Sequence, residues 1–97
     1  TRLLAESRAI LGDVVRVGYH LMGSSDLADA LADALTGANC AIMQNHGAIA
    51  VGTSLLEAFD RMEVLENTAK VHLGAIGLGG ATPIDQAGIR QIEAAFL

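Results

Sequence analysis

Between Cys40 and Val51, two short apolar runs, Cys40 to Met43 and Ala48 to Val51, are separated by Gln44-Asn45-His46-Gly47. Each run is too short for a helix and is bounded by Asn or Gly, so the segment predicts strand, turn, strand. Gly52 ends the second limb, and Ser54-Leu55-Leu56-Glu57 then has the form of a helix capping box. That box opens the longest periodic stretch in the chain: Leu55, Ala58, Phe59, Met62, Leu65, Ala69, His72, Leu73 and Ile76 recur at helical spacing. The pairs Glu57 with Arg61 and Glu66 with Lys70 stand four apart in the favourable orientation, worth a few tenths of a kcal/mol each on a solvated face. They read as scaffold.

The flanking residues complete a small α/β unit in which helices cover a short sheet. Leu3, Leu4, Ser7, Ile10 and Leu11 predict an opening helix that Gly12-Asp13 ends. Val14, Val15, Val17 and Tyr19 predict a strand leading toward Gly23. Ser24 or Ser25 offers a cap, Asp26 and Asp29 favour the first turn of the next helix, and Leu27, Leu31 and Leu35 form its stripe. Gly37 is expected to close it. Gly77, Gly79 and Gly80 break the long helix, and Thr82-Pro83-Ile84-Asp85 predicts a new start with Pro at the first helical position, leading into a last helix from Asp85 to Leu97.

Composition removes several functions. Of the 97 residues, 52% are apolar but only 3% are aromatic, so the core is built from Ala, Leu, Ile and Val rather than from a base-stacking platform. A formal net charge of -5 offers no basic patch to phosphate backbones or anionic lipid, which argues against nucleic-acid and membrane-surface partners. Cys40 is the single cysteine, so no internal disulfide can form, and it reads as a buried apolar filler. No apolar run approaches the ~20 residues that span a bilayer, and the opening residues lack a signal-peptide core. A cytoplasmic setting is the expectation. The chain opens without Met and stops at Phe96-Leu97, within an expected helix, so it is taken as a segment of a longer protein.

Chemistry centres on Asn45-His46-Gly47. A histidine at the mouth of a strand, followed by a glycine free to turn, is a way to push an imidazole out of a sheet toward a metal. Read alone, a lone histidine between strands serves more often as a hydrogen-bonded structural residue than as a ligand. A zinc site needs three or four ligands. His20 follows a strand, and His72 falls on the apolar face of the long helix as a partly buried core residue. Neither belongs to a ligand-spaced motif, and a three-histidine site within this segment is rejected. Gly74, Gly77, Gly79 and Gly80 follow a helix rather than a strand and lack a nucleotide-loop fingerprint. Asp26, Asp29 and Asp33 read as a solvated acidic face, and Ser24-Ser25 as caps, with no base in reach to make either a nucleophile.

The run Ala41-Ile42-Met43-Gln44-Asn45-His46-Gly47-Ala48-Ile49-Ala50-Val51-Gly52, followed at once by Ser54 to Glu66, resembles the C-terminal half of the class II aldolase and adducin head family. Gly23-Ser24-Ser25-Asp26-Leu27-Ala28-Asp29-Ala30-Leu31 fits the helix that precedes that motif, and the resemblance spans about Tyr19 to Ile84. It implies that residues 1–97 are the C-terminal segment of one domain, part of a three-layer α/β/α fold with a mixed, largely antiparallel sheet. It implies a homotetramer and a small sugar-phosphate substrate.

By the same resemblance His46 is one of three zinc-ligating histidines, the others coming from an upstream His-x-His that these residues do not contain. Zinc is the cofactor implied, and its role is to chelate carbonyl and hydroxyl oxygens of the substrate as a Lewis acid. Gly47 is expected to let the backbone turn while His46 keeps its direction, and Asn45 to fix the turn through its side chain. Tyr19 stays unassigned. Phe59 to Glu66 resembles the aldolase branch, nearest to fuculose-phosphate aldolase, and the implied activity is a zinc-dependent carbon–carbon lyase when complete, with this segment alone inactive. The alternatives on the same scaffold are a sugar-phosphate epimerase, a decarboxylase, or a non-catalytic adducin-like interaction module.

Overall fold

The computed structural model describes residues 2–97. Its elements run α1 (Ala5–Leu11), β1 (Val14–Val17), α2 (Ser25–Leu35), β2 (Cys40–Met43), β3 (Gly47–Ala50), α3 (Leu55–Gly77) and α4 (Gln86–Phe96). The sheet order is β1-β2-β3. β1 runs parallel to β2, with Val14 opposite Cys40 and Val17 opposite Met43, and α2 makes the crossover that a parallel pair requires. β2 and β3 are antiparallel, with Cys40 opposite Ala50 and Met43 opposite Gly47. The sheet is therefore mixed, with one pairing of each kind.

Neighbouring residues of a strand point to opposite faces. Cys40 and Ala41 are both fully buried, so both faces of β2 are covered at that point. α2 packs on β1 and β2, and α3 packs on β3 and on α1. Burial pushes the Cys40 thiol above its ordinary pKa, which suits an inert filler.

The chain ends its elements by short-range means, not always where the residue pattern predicts. Gly12 takes φ 65 after α1, a left-handed conformation that glycine adopts without strain. β1 stops at Val17 rather than Tyr19. Beyond the bond from the Gln44 N–H to the Val17 carbonyl (3.0 Å), β2 has turned away and offers no partner to Gly18 or Tyr19. Ser24 caps α2 by accepting from the Leu27 N–H at 3.2 Å. Gly37 does not close that helix; Thr36 does, donating its hydroxyl to the Ala32 carbonyl at 2.9 Å. Pro83 is not the first residue of α4. Asp85 is the cap, because its carboxylate accepts from the Gly88 N–H at 2.7 Å, and Pro83 lies before it.

The largest departure concerns α3. On its apolar face Leu55, Phe59, Leu73 and Ile76 are all exposed, and His72 is exposed rather than partly buried as its spacing predicts. The buried residue of α3 is Thr68, whose hydroxyl pairs with that of Ser7 at 2.7 Å and donates to the Val64 carbonyl. Length explains this. A helix of 23 residues is about 34 Å long at ~1.5 Å per residue, whereas the 4 residues of β3 extend only about 13 Å. Only the middle of α3 finds a partner.

Arg8, buried in α1, ties the helical layer together. Its guanidinium pairs with Asp13 at the entrance to β1 and with Glu93 on α4. Nearby, the Ile84 N–H donates to the Arg2 carbonyl at 2.7 Å and the Arg2 guanidinium reaches Gln86. The guanidinium beside Asp13 holds that carboxyl below its usual range, and the Thr53 N–H does the same for Glu57. A carboxylate whose folded pKa is depressed stabilises the fold fully above its ordinary pKa, about 4, and loses that contribution as pH falls through the depressed value. The urea midpoint is therefore expected to hold from pH 7 to about 4 and to decline below it, and Asp13→Asn should make the acid limb shallower. An acid limb unchanged in Asp13→Asn would show that Asp13 does not contribute to it.

Candidate metal-ligand turn and cleft

His46 stands at the tip of the β2–β3 hairpin. The ladder ends at the Met43–Gly47 pair, and the His46 N–H closes the turn on the Met43 carbonyl at 3.1 Å. The residue that makes the turn possible is Asn45, with φ 59, and not Gly47, which lies outside the left-handed region. This corrects the expectation for both neighbours of His46. Asn tolerates left-handed backbone better than other residues with a side chain. Asn45 thus serves through its backbone, and its side chain makes no hydrogen bond among the described residues.

A Cβ added at Gly47 meets nothing within 4 Å. Gly47→Ala is accordingly expected to change stability by less than about 0.5 kcal/mol, while Asn45→Val, a β-branched residue at positive φ, should cost about 1–3 kcal/mol. Urea titrations of the two variants check this, and a Gly47→Ala loss equal to that of Asn45→Val would contradict it.

The hairpin is held against α3 by a corner at 51–61. Arg61 Nη1 donates to the Val51 carbonyl at 2.6 Å and pairs with Glu57 at 2.9 Å. Ser54 caps α3 by accepting from the Glu57 N–H, and the Glu57 carboxylate reaches the Thr53 N–H at 3.0 Å, one residue before its partner in a regular capping box. Gly52 is required here, since a Cβ would lie 2.8 Å from the Ala58 amide nitrogen. The β3-to-α3 angle is therefore defined by hydrogen bonds and close backbone approach.

Between the hairpin and α3 lies an open cleft of about 440 Å³. Ile42, Met43, Ala48, Met62, Leu65 and Ala69 make it mostly apolar, and Asn45, His46 and Glu66 supply its polar side chains. The His46 ring is exposed and makes no hydrogen bond or ion pair among the described residues. Its lone pair is free to bind, which is what a metal ligand requires. Its spacing in the sequence pairs Glu66 with Lys70, but that pairing is long, 3.9 Å. Its position is legible in retrospect, because Met62, Leu65, Glu66 and Ala69 share one helical face by their spacing.

The other sequence candidates do not join this cleft. His20 and Tyr19 sit in the loop after β1, Tyr19 exposed, and His72 lies farther along α3. No group of three or more His, Cys, Asp or Glu converges on one point among the described residues. Ser24 is a cap that also donates to the Leu21 carbonyl, while Ser25, Asp26, Asp29 and Asp33 are exposed on α2. Gly79 and Gly80 terminate α3 with φ 106 and 113, and the Gly80 N–H bonds the Ala75 carbonyl at 2.7 Å. Among the described residues no helix is long and apolar enough to cross a membrane.

Comparison with known proteins places these features in a family. The family profile described as "Class II Aldolase and Adducin N-terminal domain" matches residues 2–73. The chain is 38% identical over 61 residues to 3-oxo-tetronate 4-phosphate decarboxylase of Escherichia coli K12, and 42% identical over 65 residues to the protein of that name from Haemophilus influenzae. Those matches take in 63% and 60% of this chain but only 29% and 30% of the relatives, so the chain spans less than a third of their length. Among solved structures, an L-fuculose 1-phosphate aldolase superimposes with a TM-score of 0.84 at 28% identity, over 93% of this chain and 43% of that one. YgbL of Klebsiella pneumoniae, whose activity is given as a choice among aldolase, epimerase and decarboxylase, superimposes with a TM-score of 0.85 at 27% identity, over 94% and 44%. With most of its length matched by the profile and nearly all of it superimposed on such structures, the chain belongs to the class II aldolase and adducin family.

Proposed function

We propose that these residues are the C-terminal segment of a zinc-dependent carbon–carbon lyase acting on a small phosphorylated sugar, with His46 as one zinc ligand. The observation that carries this is the exposed His46 ring at the tip of the β2–β3 hairpin, without a hydrogen-bond or ion-pair partner among the described residues and lining a cleft in a chain of this family. One imidazole fits such a site as a single member of a ligand set, and the remaining ligands are proposed to come from residues beyond these 97. Zinc, when bound, supplies a Lewis acid for the carbonyl oxygen of the substrate. This chain's own part is to hold His46 out from the sheet, through the Asn45 turn and the Val51–Arg61 corner, and to shield one side of the site with the apolar wall of α3.

Two reactions fit. Aldol cleavage is the reading favoured by the Phe59 to Glu66 resemblance and the fuculose-phosphate aldolase neighbour. Decarboxylation of a phosphorylated oxo-acid is favoured by the higher identity, 38–42%, to proteins named as 3-oxo-tetronate 4-phosphate decarboxylases. Both break a carbon–carbon bond beside a carbonyl. Assays of the zinc-loaded full-length protein separate them: aldehyde release from a ketose 1-phosphate marks the first, and carbon dioxide release from 3-oxo-tetronate 4-phosphate marks the second. The absence of both products would contradict the lyase reading and favour a non-catalytic module. The proposal extends to a cytoplasmic homotetramer, which elution of the full-length protein at monomer mass would contradict.

A further inference from the structure

We propose that Arg16 binds the phosphoryl group of the substrate, at an open corner of the sheet beside His46. That role rests on the lyase reading and supplies a partner for the phosphate of its substrate. The strand registers set Arg16 opposite Ile42 and Ile42 opposite Ala48, so the three form one cross-strand row on one face of the sheet. The other row on that face, Val14, Cys40 and Ala50, is covered: Cys40 is fully buried and its two neighbours are half-buried. The Arg16 row is exposed at all three positions. Ile42 and Ala48 also line the cleft that holds His46, so Arg16 extends the floor of that cleft by one strand.

The charge is available. Arg2 reaches Gln86, Arg8 pairs with Asp13 and Glu93, Arg61 with Glu57 and Lys70 with Glu66, whereas Arg16 is exposed and makes no hydrogen bond or ion pair among the described residues. Arg90, the remaining cation, lies on α4, which packs on α1. The placement suits a short sugar phosphate. Two strand spacings of about 4.8 Å and two residues of rise at about 3.3 Å put the backbones of Arg16 and His46 roughly 12 Å apart, a gap that the two side chains and a substrate between them can fill. A phosphate monoester carries about −1.5 to −2 charge at pH 7, and a guanidinium offers it two parallel N–H donors, a match that the point charge of lysine lacks. A chain with a formal net charge of -5 repels such a substrate at long range, so a free cation at the cleft is the local feature that holds it. The competing role is a solvated charge that blunts an edge strand, since β1 is one edge of the sheet among the described residues.

The test uses the full-length protein, and its first arm needs no turnover. Calorimetric titration with inorganic phosphate, on metal-free protein so that zinc offers the anion no second site, should show an affinity that falls about 10- to 100-fold in Arg16→Ala, the range for hydrogen bonds to a charged group. Arg16→Lys, which keeps the charge and loses the fork, should lose less, and Arg90→Ala should lose nothing. The urea midpoint should hold in both Arg16 variants, because the side chain has no partner to lose among the described residues. In the zinc-loaded enzyme Arg16→Ala should raise KM for the phosphorylated substrate by a similar factor and leave kcat little changed, because a phosphate away from the reacting carbons is held alike in the ground and transition states. A wild type without affinity for inorganic phosphate, or an affinity unchanged in Arg16→Ala, would overturn the proposal and leave Arg16 as an edge-strand charge. Loss of phosphate affinity in Arg16→Ala of a protein that shows no lyase turnover would uphold the Arg16 site and remove only the lyase reading.

Discussion

Full-length protein carrying His46→Ala is expected to bind zinc at least about 100-fold more weakly than the wild type while unfolding at the same urea concentration. Protein zinc sites gain roughly 10–16 kcal/mol from about four ligands, so one ligand carries about 3 kcal/mol, and each 1.4 kcal/mol is a factor of ten. The unchanged stability follows from the structure: the His46 side chain is exposed, has no partner among the described residues, and leaves the Asn45 turn and the Met43 closure intact when removed. Metal analysis after dialysis, together with a urea titration, reads both halves. Equal zinc in the two proteins would sink the ligand assignment, and a large stability loss would return His46 to a structural role.

Arg8→Met is expected to destabilise the fold by about 2 kcal/mol and to leave zinc binding unaffected in the folded protein. Arg8 is 5% exposed and joins α1 both to Asp13, in the turn before β1, and to Glu93 on α4. Methionine preserves the buried stem and removes the charge. Breaking a fully buried pair costs about 3–5 kcal/mol because a charge is stranded, but Asp13 and Glu93 keep side-chain exposures of 75% and 39% and can be rehydrated. Loss of hydrogen bonds to charged groups, about 1.5–3 kcal/mol, is the better guide. With a urea slope of about 1–3 kcal/mol per molar, the midpoint should move by roughly 1 M. A shift below about 0.2 M would show that the two ion pairs do not hold α4 to the rest of the fold.

The elements set by local rules were legible in the residues, and those set by distant partners were not. Ser54, Ser24 as one of the two serines the pattern offers as a cap, and the period of α3 report bonds that close within a few residues, and each appears in the structure. The burial of α3 is another matter. Periodicity identifies which face is apolar but not how much of it a short sheet can cover, and so His72, expected to be partly buried on that face, lies beyond a core that reaches only to Thr68 and its neighbours. The hairpin tip shows the same division. Asn-His-Gly marks a turn, but Asn and Gly both accept left-handed backbone, and only the ladder register reveals that Asn45 takes it. Glu66 was hidden by its pairing with Lys70, a local pattern that accounted for its charge and concealed its place on the cleft wall.

Under the proposed function His46 ligates a metal in this class II aldolase family protein. An anomalous difference map recorded at the zinc edge, from crystals of the full-length protein, tests it most directly. A single strong peak is expected about 2.0–2.1 Å from a ring nitrogen of His46, with its other ligands drawn from outside residues 1–97. A zinc peak elsewhere, with the His46 ring free of any metal, would contradict it.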